Sequence, residues 1–317
     1  MENNINEKVA IIILNWNSYT DTYECLKSLE DIKKKNFTVF LADNNSQDNS
    51  FSMLQKDYQR NVFSIDIVFI QTGANLGFAG GNNVAIKKAY EQGYEYFWLL
   101  NNDTIVEANA LDPLINYLIS NPEVGITGSK IYYYNTSKIW FAGGKVDLSM
   151  GRVKHIGLRE EDNGLYDTTK QVDFINGCSL AFKREVLDKV GYMNEDYFLY
   201  YEETDWNTRV RKAGFKIVFC PQSVIYHKVS LSSGGEDNLS SKVYYYNFRN
   251  AFIFVFRNNP KSIFKARMYL IYRIFKKLVT LTFKKNYGWK DLIIVSQSYP
   301  DAINYMKRNK INQINKN

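Results

Sequence analysis

Tyr96-Phe97-Trp98-Leu99-Leu100-Asn101-Asn102-Asp103-Thr104 decides how this chain is read. Its first five residues are apolar and uncharged, the composition of a central strand covered on both faces. Two amides and an acid follow at once. A buried carboxylate is costly unless it pairs with a cation or binds a metal. The carboxyl end of a strand is also where open α/β sheets bind ligands. The plainer reading is a turn that caps a helix starting near Glu107. Both readings stay open on this stretch alone.

Three similar segments precede it. Val9-Ala10-Ile11-Ile12-Ile13-Leu14 stops at Asn15-Trp16-Asn17-Ser18, and Phe37-Thr38-Val39-Phe40-Leu41-Ala42 runs into Asp43-Asn44-Asn45-Ser46. Ile65-Asp66-Ile67-Val68-Phe69-Ile70 leads to Gly73-Ala74-Asn75-Leu76-Gly77-Phe78-Ala79-Gly80-Gly81-Asn82-Asn83. A helix follows each, the first capped by Thr20 or Asp21, with Cys25, Leu26 and Leu29 on one face. Strand, polar loop and helix in repetition predict a doubly wound, mostly parallel α/β sheet flanked by helices. Four polar loops then line one crevice. Helix amino ends and loop N–H groups in it favour phosphate, although glycine-rich turns also serve plain packing. The glycine stretch is neither a Walker loop nor a clean Gly-x-Gly-x-x-Gly.

The second half changes character. Residues 130–169 predict an antiparallel insertion and a mobile loop, with hairpin strands at 131–134 and 138–141. Residues 174–182 read as strand, turn, strand. Tyr197 to Trp206 sets Glu202, Glu203 and Asp205 behind an aromatic run, and a helix continues to about Ala213 with Gly214 as its C-cap. Acids in a first turn are also what the helix dipole favours. Residues 215–219 and 223–226 read as two strands. His227 ends the second, as Asp103 ends its own strand, and could meet it across the crevice; a lone histidine is otherwise ordinary.

The 317 residues, 45% of them hydrophobic, are ample for a buried core. Cys25, Cys178 and Cys220 are odd in number and widely spaced, which reads as reduced thiols in a cytoplasmic protein. Met1-Glu2-Asn3-Asn4 lacks a basic and an apolar region, so no signal peptide is expected, and no apolar run reaches membrane-span length. The net charge of +7 is uneven. Residues 257–317 hold 14 Lys and Arg against Asp291 and Asp301, leaving the first 256 residues at −5. The expected organisation is a catalytic body over 1–256 and a basic, amphipathic helical extension over 257–317.

In family order, the polar segments resemble those of family-2 glycosyltransferases, and most closely a bacterial rhamnosyltransferase-like branch. The pieces are Ile12-Ile13-Leu14-Asn15-Trp16-Asn17, Ala42-Asp43-Asn44-Asn45-Ser46, the Asn75 to Asn83 stretch, Leu100-Asn101-Asn102-Asp103-Thr104, Asn176-Gly177-Cys178, Glu202-Glu203-Thr204-Asp205-Trp206, His227 with its Ser/Gly tail, and Tyr246-Asn247-Phe248-Arg249-Asn250. The resemblance implies a GT-A, Rossmann-like fold and inverting transfer from a nucleotide-sugar donor, dTDP-rhamnose or UDP-hexose. It implies a glycan or lipid-linked acceptor in cell-surface polysaccharide or glycoconjugate synthesis. Asn15, Asn17, Asp43, Asn75, Gly77, Asn102 and Asp103 fall at donor positions. Asp103, with His227 and Asn101, falls where members hold Mn²⁺ or Mg²⁺. Glu203 falls at the catalytic base, with Asp205 as its rival, and Asn176, Gly177 and Trp206 at acceptor positions. The sequence departs from the common pattern in Asn101 for a first Asp, Glu203 for the usual Asp, and Gly81 where some relatives carry Arg.

Two other readings compete. A nucleotidyltransferase would want a basic glycine loop, and residues 73–83 contain no Lys or Arg. A non-catalytic sugar-binding scaffold would not need Asp103, Glu203, Asp205 and His227 together. In the tail, helical spacing puts Phe264, Met268, Ile271, Phe275 and Leu278 on one face, Ile274 at its edge, and Arg273, Lys276, Lys277 and Lys284 opposite. That face either packs on protein, in the body or a homo-oligomer, or lies peripherally on an anionic membrane. Nucleic acid is not expected, because no reading motif accompanies the charge.

Overall fold

The computed structural model describes residues 8–33, 36–229, 239–284 and 287–314. The chain divides into two compact units: Met1–Lys145, His155–Phe198 and Glu202–Val229 in one, and Val146–Lys154, Leu199–Tyr201 and Ser230–Asn317 in the other. This boundary lies earlier than the expected residue 256. The reason is helix α7 (Ser241–Asn258), whose Ala251, Phe252, Ile253, Phe254 and Val255 are buried and which packs with α8 (Ile263–Thr282) and α9 (Trp289–Ile314).

The first unit is built on a mixed sheet. β1 (Val9–Asn15), β2 (Phe37–Asp43), β3 (Ile67–Gln71) and β4 (Tyr96–Leu100) are parallel, in the order β3-β2-β1-β4. The apolar runs read from sequence are these strands, and β1 is fully buried at Ala10, Ile11, Ile12 and Ile13. Helices α1 (Tyr19–Leu29), α2 (Ser50–Gln59) and α3 (Gly77–Glu91) make the crossovers. The cap of α1 is Ser18, two residues before Thr20 and three before Asp21, the expected positions, and its hydroxyl meets Asp21.

Beyond β4 the sheet becomes mixed. β11 (Ser179–Lys183) runs antiparallel between β4 and β6 (Val124–Tyr133), and β12 (Lys216–His227) lies parallel to β6. The carboxyl end of β12 therefore returns to the same sheet edge as that of β4. Three expectations are corrected. Asp103 does not cap a helix: Thr104–Val106 forms a short strand, β5, against β12, and the helix α4 begins only at Leu111. Only the second half of 174–182 is a strand. The two strands expected over 215–226 are one, with its register shifting between Cys220 and Val224, where Pro221 removes a ladder donor. The expected hairpin is β6 with β7 (Ile139–Phe141). β8 (Gly144–Asp147) and β9 (Arg152–His155) form a separate ribbon, and β10 (Lys170–Gln171) edges β12.

A buried hydroxyl chain ties the central strands. Trp98 Nε1 donates to Ser179 Oγ at 2.9 Å, Ser179 meets Ser129 at 2.6 Å, Ser129 meets Ser223 at 2.7 Å, and Ser223 donates to Ala110 O. Hydroxyls can sit in a dry core when each has a partner.

Candidate active site

The parallel strands deliver their polar ends to one edge, and hydrogen bonds link them. Asn102 Nδ2 donates to Thr22 Oγ1 at 2.9 Å, and Thr22 Oγ1 lies 2.8 Å from Asn15 Oδ1. Asn15 Nδ2 donates to Asp43 Oδ1 at 2.8 Å, and Gln71 Nε2 to Asp43 Oδ2 at 3.0 Å. The chain crosses from the end of β4 to the end of β3. Asp43 also accepts from the Ser46 amide and hydroxyl. Asn17 Oδ1 accepts from the Gln47 amide, and Asn75 Oδ1 from Asn44 Nδ2 and the Gly77 amide. Thr22 and Gln71 belong to this chain although nothing in the sequence marked them, since a single polar residue carries no period.

Gly77 opens α3 at φ +71°, and a Cβ on it would stand 2.2 Å from Phe198 O. The Phe78 amide donates to that same carbonyl at 2.7 Å. Part of what the glycine stretch does is therefore packing, as its plainer reading allowed.

Asp103 follows the turn at Asn101, whose amide donates to Cys178 O and whose carbonyl accepts from Thr104 Oγ1. The Cys25 thiol lies 3.6 Å from the same carbonyl, and burial pushes that thiol up to about 12. Asp103 Oδ2 lies 3.2 Å from His227 Nε2, both side chains being about one-tenth exposed. Lys228 holds the next step of chain, its amide donating to Asp103 O and its ammonium pairing with Asp21 and Glu24. His227 Nδ1 has no hydrogen-bond partner among the described residues. Its ring is instead held edge-to-face by Trp140, centroids 4.4 Å apart.

No group of three or more His, Cys, Asp and Glu that could hold a metal occurs among the described residues. The Asp103–His227 pair would nevertheless suit a divalent cation that took its other ligands from phosphate and water. One carboxylate oxygen and one imidazole nitrogen suit Mn²⁺ or Mg²⁺. Their 3.2 Å separation is near the ~3.0 Å between adjacent octahedral ligands at ~2.1 Å. Asn101, two residues before Asp103 and just past the end of β4, is half-buried.

The acids 202, 203 and 205 open α6 (Glu202–Lys212) and part company there. Asp205 is buried, accepts from Tyr197 Oη at 3.1 Å and pairs with Arg209 Nε at 2.9 Å. Arg209 is itself anchored on Val190 O and Tyr192 O. Glu203 Oε2 has no hydrogen-bond partner among the described residues. Burial pushes the Glu203 carboxyl up to about 7, backbone and Thr204 hydrogen bonds opposing, while burial and Glu203 push Glu202 well above the carboxylate range. Asn207, which the sequence did not flag, brackets the turn: it donates to Glu203 O and Ile175 O and accepts from the Ile175 amide. That places Glu203 beside Gly177, where an added Cβ would lie 3.7 Å from Glu203 Cβ and 3.0 Å from the Phe78 ring. Asn176 Oδ1 accepts from the Cys178 amide. Trp206 corrects an expectation. It is fully buried, edge-to-face with Phe182, with its indole N–H on Gly191 O, so it has no surface for an acceptor. The Ser/Gly stretch after His227 lies outside the described residues.

Residues 10–191, more than half of the chain, match the model of the family described as glycosyl transferase family 2. The chain belongs to that family. As a family-2 glycosyltransferase it is similar to the low-salt glycan biosynthesis hexosyltransferase Agl10 of Haloferax volcanii, 26% identical over 78% of this chain and 75% of that one. It is similar also to the dTDP-rhamnosyl transferase RfbF of Shigella flexneri, 23% identical over 88% of this chain and 90% of that one. Its fold is that of the mannosyltransferase PcManGT from Pyrobaculum calidifontis, solved with GDP-Man and Mn²⁺: TM-score 0.56 at 16% identity, over 92% of this chain and 73% of that one. The GT-A architecture expected from the resemblance is thereby established, and with it the glycosyltransferase class.

Proposed function

We propose that this enzyme moves a sugar, with inversion, from a nucleoside-diphosphate donor to a glycan or lipid-linked glycan, with Glu203 as the base. The supporting observation is the Glu203 carboxyl. Its Oε2 is buried without a hydrogen-bond partner among the described residues, and its pKa of about 7 suits a proton acceptor near neutrality. The acceptor oxygen attacks the anomeric carbon, the bond from that carbon to the diphosphate oxygen breaks, and the acceptor proton passes to Glu203. Asp205 is not the base in this reading, because Arg209 holds its carboxylate. Asp103 and His227 are the residues that would hold Mn²⁺ or Mg²⁺, and a cation there would neutralise charge developing on the leaving diphosphate. The hydrogen-bonded edge through Asn102, Asn15 and Asp43 floors the nucleotide side, with Asn17, Asn75 and Gly77 at its rim. Asn176 and Gly177, beside Glu203, face the acceptor side.

The donor is dTDP-rhamnose or a UDP-hexose, a choice that rests on the names of relatives such as RfbF. Residues 257–317, at +12, attach the enzyme peripherally to an anionic membrane that carries the acceptor. Calorimetry of a nucleotide-sugar panel, with Mn²⁺ and with EDTA, tests the donor and metal parts together. One donor binding tightly only with the cation supports both, and equal affinity in EDTA removes the metal.

A further inference from the structure

We propose that the outward face of α8 is the surface that seats this enzyme on anionic lipid, a proposal that rests on the peripheral-membrane part of the reading above and names its face. The helix has two apolar sides. Ala266, Leu270, Ile274 and Leu281 are buried, and on this side Arg273 and Lys277 lie over the Phe248 and Tyr244 rings of α7, 4.6 and 4.1 Å from their centroids. The other side is exposed: Phe264 by 74% and Phe275 by 67%, with Met268, Ile271 and Val279 on the same side and the C-cap residue Phe283, 85% exposed, continuing it. At 100° per residue, this exposed set spans an arc of about 120° roughly opposite the buried one. Helix packing is satisfied by the buried side, so it does not account for three exposed phenylalanines in a row along the other.

Charge decides the occupant. Helix α8 contains Lys265, Arg267, Arg273, Lys276 and Lys277 and no acid. Lys265 and Lys276 flank the exposed stripe on one margin and Arg267 on the other, all three exposed. Two copies meeting through this face would oppose like charges, whereas an anionic surface accepts the lysines while the rings enter the headgroup boundary. No described helix is long and apolar enough to cross a membrane, which suits a helix lying in the interface. Trp289, 77% exposed at the start of α9 beside Lys290, extends the same chemistry.

The experiment is sedimentation of the full chain with vesicles of phosphatidylcholine alone and of phosphatidylcholine with phosphatidylglycerol. Pelleting is expected only with the anionic vesicles and weakens as salt rises. Phe264→Ser with Phe275→Ser should reduce partitioning at least tenfold at every salt concentration, and Lys265→Gln with Lys276→Gln about thirty-fold at low salt. Neither pair lies in the site, so both variants should keep wild-type melting and donor binding. A full chain that stays in the supernatant with both vesicles overturns the lipid face. So does a phenylalanine variant that binds vesicles normally, or one that splits an oligomer seen by light scattering. Donor binding separates the two proposals: a chain that binds no nucleotide sugar yet pellets on anionic vesicles fails the transferase reading and keeps the lipid face.

Discussion

Arg209 Nε lies 2.9 Å from Asp205 Oδ2, and the same guanidinium closes on the carbonyls of Val190 and Tyr192. That network separates two acids only two residues apart. Asp205→Asn should cost stability, about 3 kcal/mol as for a broken buried ion pair, read as a lowered melting temperature. Glu203→Gln should keep donor affinity and lower turnover by about 10²-fold or more. A folded Asp205→Asn enzyme that binds donor but does not turn over, beside an active Glu203→Gln, would assign the base to Asp205.

The Glu203 carboxyl gives two pH dependences. As a base it must be ionised, so turnover should rise with pH and level above about 7. Its folded pKa is raised, so its contribution to stability is complete below the unfolded value of about 4.3 and is lost as pH rises through about 7. Glu203→Gln should therefore melt above the wild type at pH 8 and lose that advantage at pH 4, a difference on the order of 3 kcal/mol. Parallel melting curves at all pH values would contradict the buried-carboxyl account.

Metal dependence should follow distance from the cation. Asp103→Ala should abolish Mn²⁺-stimulated donor binding, and His227→Ala should weaken it less. Trp140→Ala, which removes the ring packed edge-on against His227 and His155, should weaken it about tenfold, the scale of a support lost behind a ligand. Calorimetry at several Mn²⁺ concentrations gives the order, and a Trp140 effect equal to that of Asp103 would mean a collapsed site instead.

Gly77→Ala should destabilise by more than about 2 kcal/mol, since a left-handed residue is strained and its Cβ would meet the Phe198 carbonyl at 2.2 Å. Gly73→Ala, at φ +79° with nothing within 4 Å of the new atom, carries only the backbone cost of about 1–2 kcal/mol. Denaturant midpoints of the two variants separate strain from collision.

The parallel half of the sheet was legible because each strand is a local apolar run that stops at polar residues. Strand direction was not. Ser179–Lys183 reads the same whether it runs with or against Tyr96–Leu100, because pairing is a long-range property. Thr104–Val106 is too short to announce a strand, so a helix capped at Asp103 stayed open as one of two readings. The meeting of Asp103 with His227 could be suspected, since both end strands, whereas the support from Asn207, Thr22 and Trp140 could not. In α8, periodicity put Phe264, Met268, Ile271, Phe275 and Leu278 on one face; the structure turns the first four outward and leaves Leu278 half-buried. Ile274, assigned to its edge, belongs to the buried side. A helix with two apolar sides gives sequence no means of choosing which one packs.

Cys25 and Cys178 stand behind the turn that carries Asp103, and Cys220 lies in β12; all three are free and buried. Burial pushes the Cys25 and Cys220 thiols up to about 12 and Cys178 well above its usual value, so none offers thiolate to a reagent at neutral pH. The natural chain can therefore serve as its own blank in maleimide labelling. A single cysteine introduced at an exposed position of α8 would take up dye alone, and its emission could report where that helix goes without altering the three native residues.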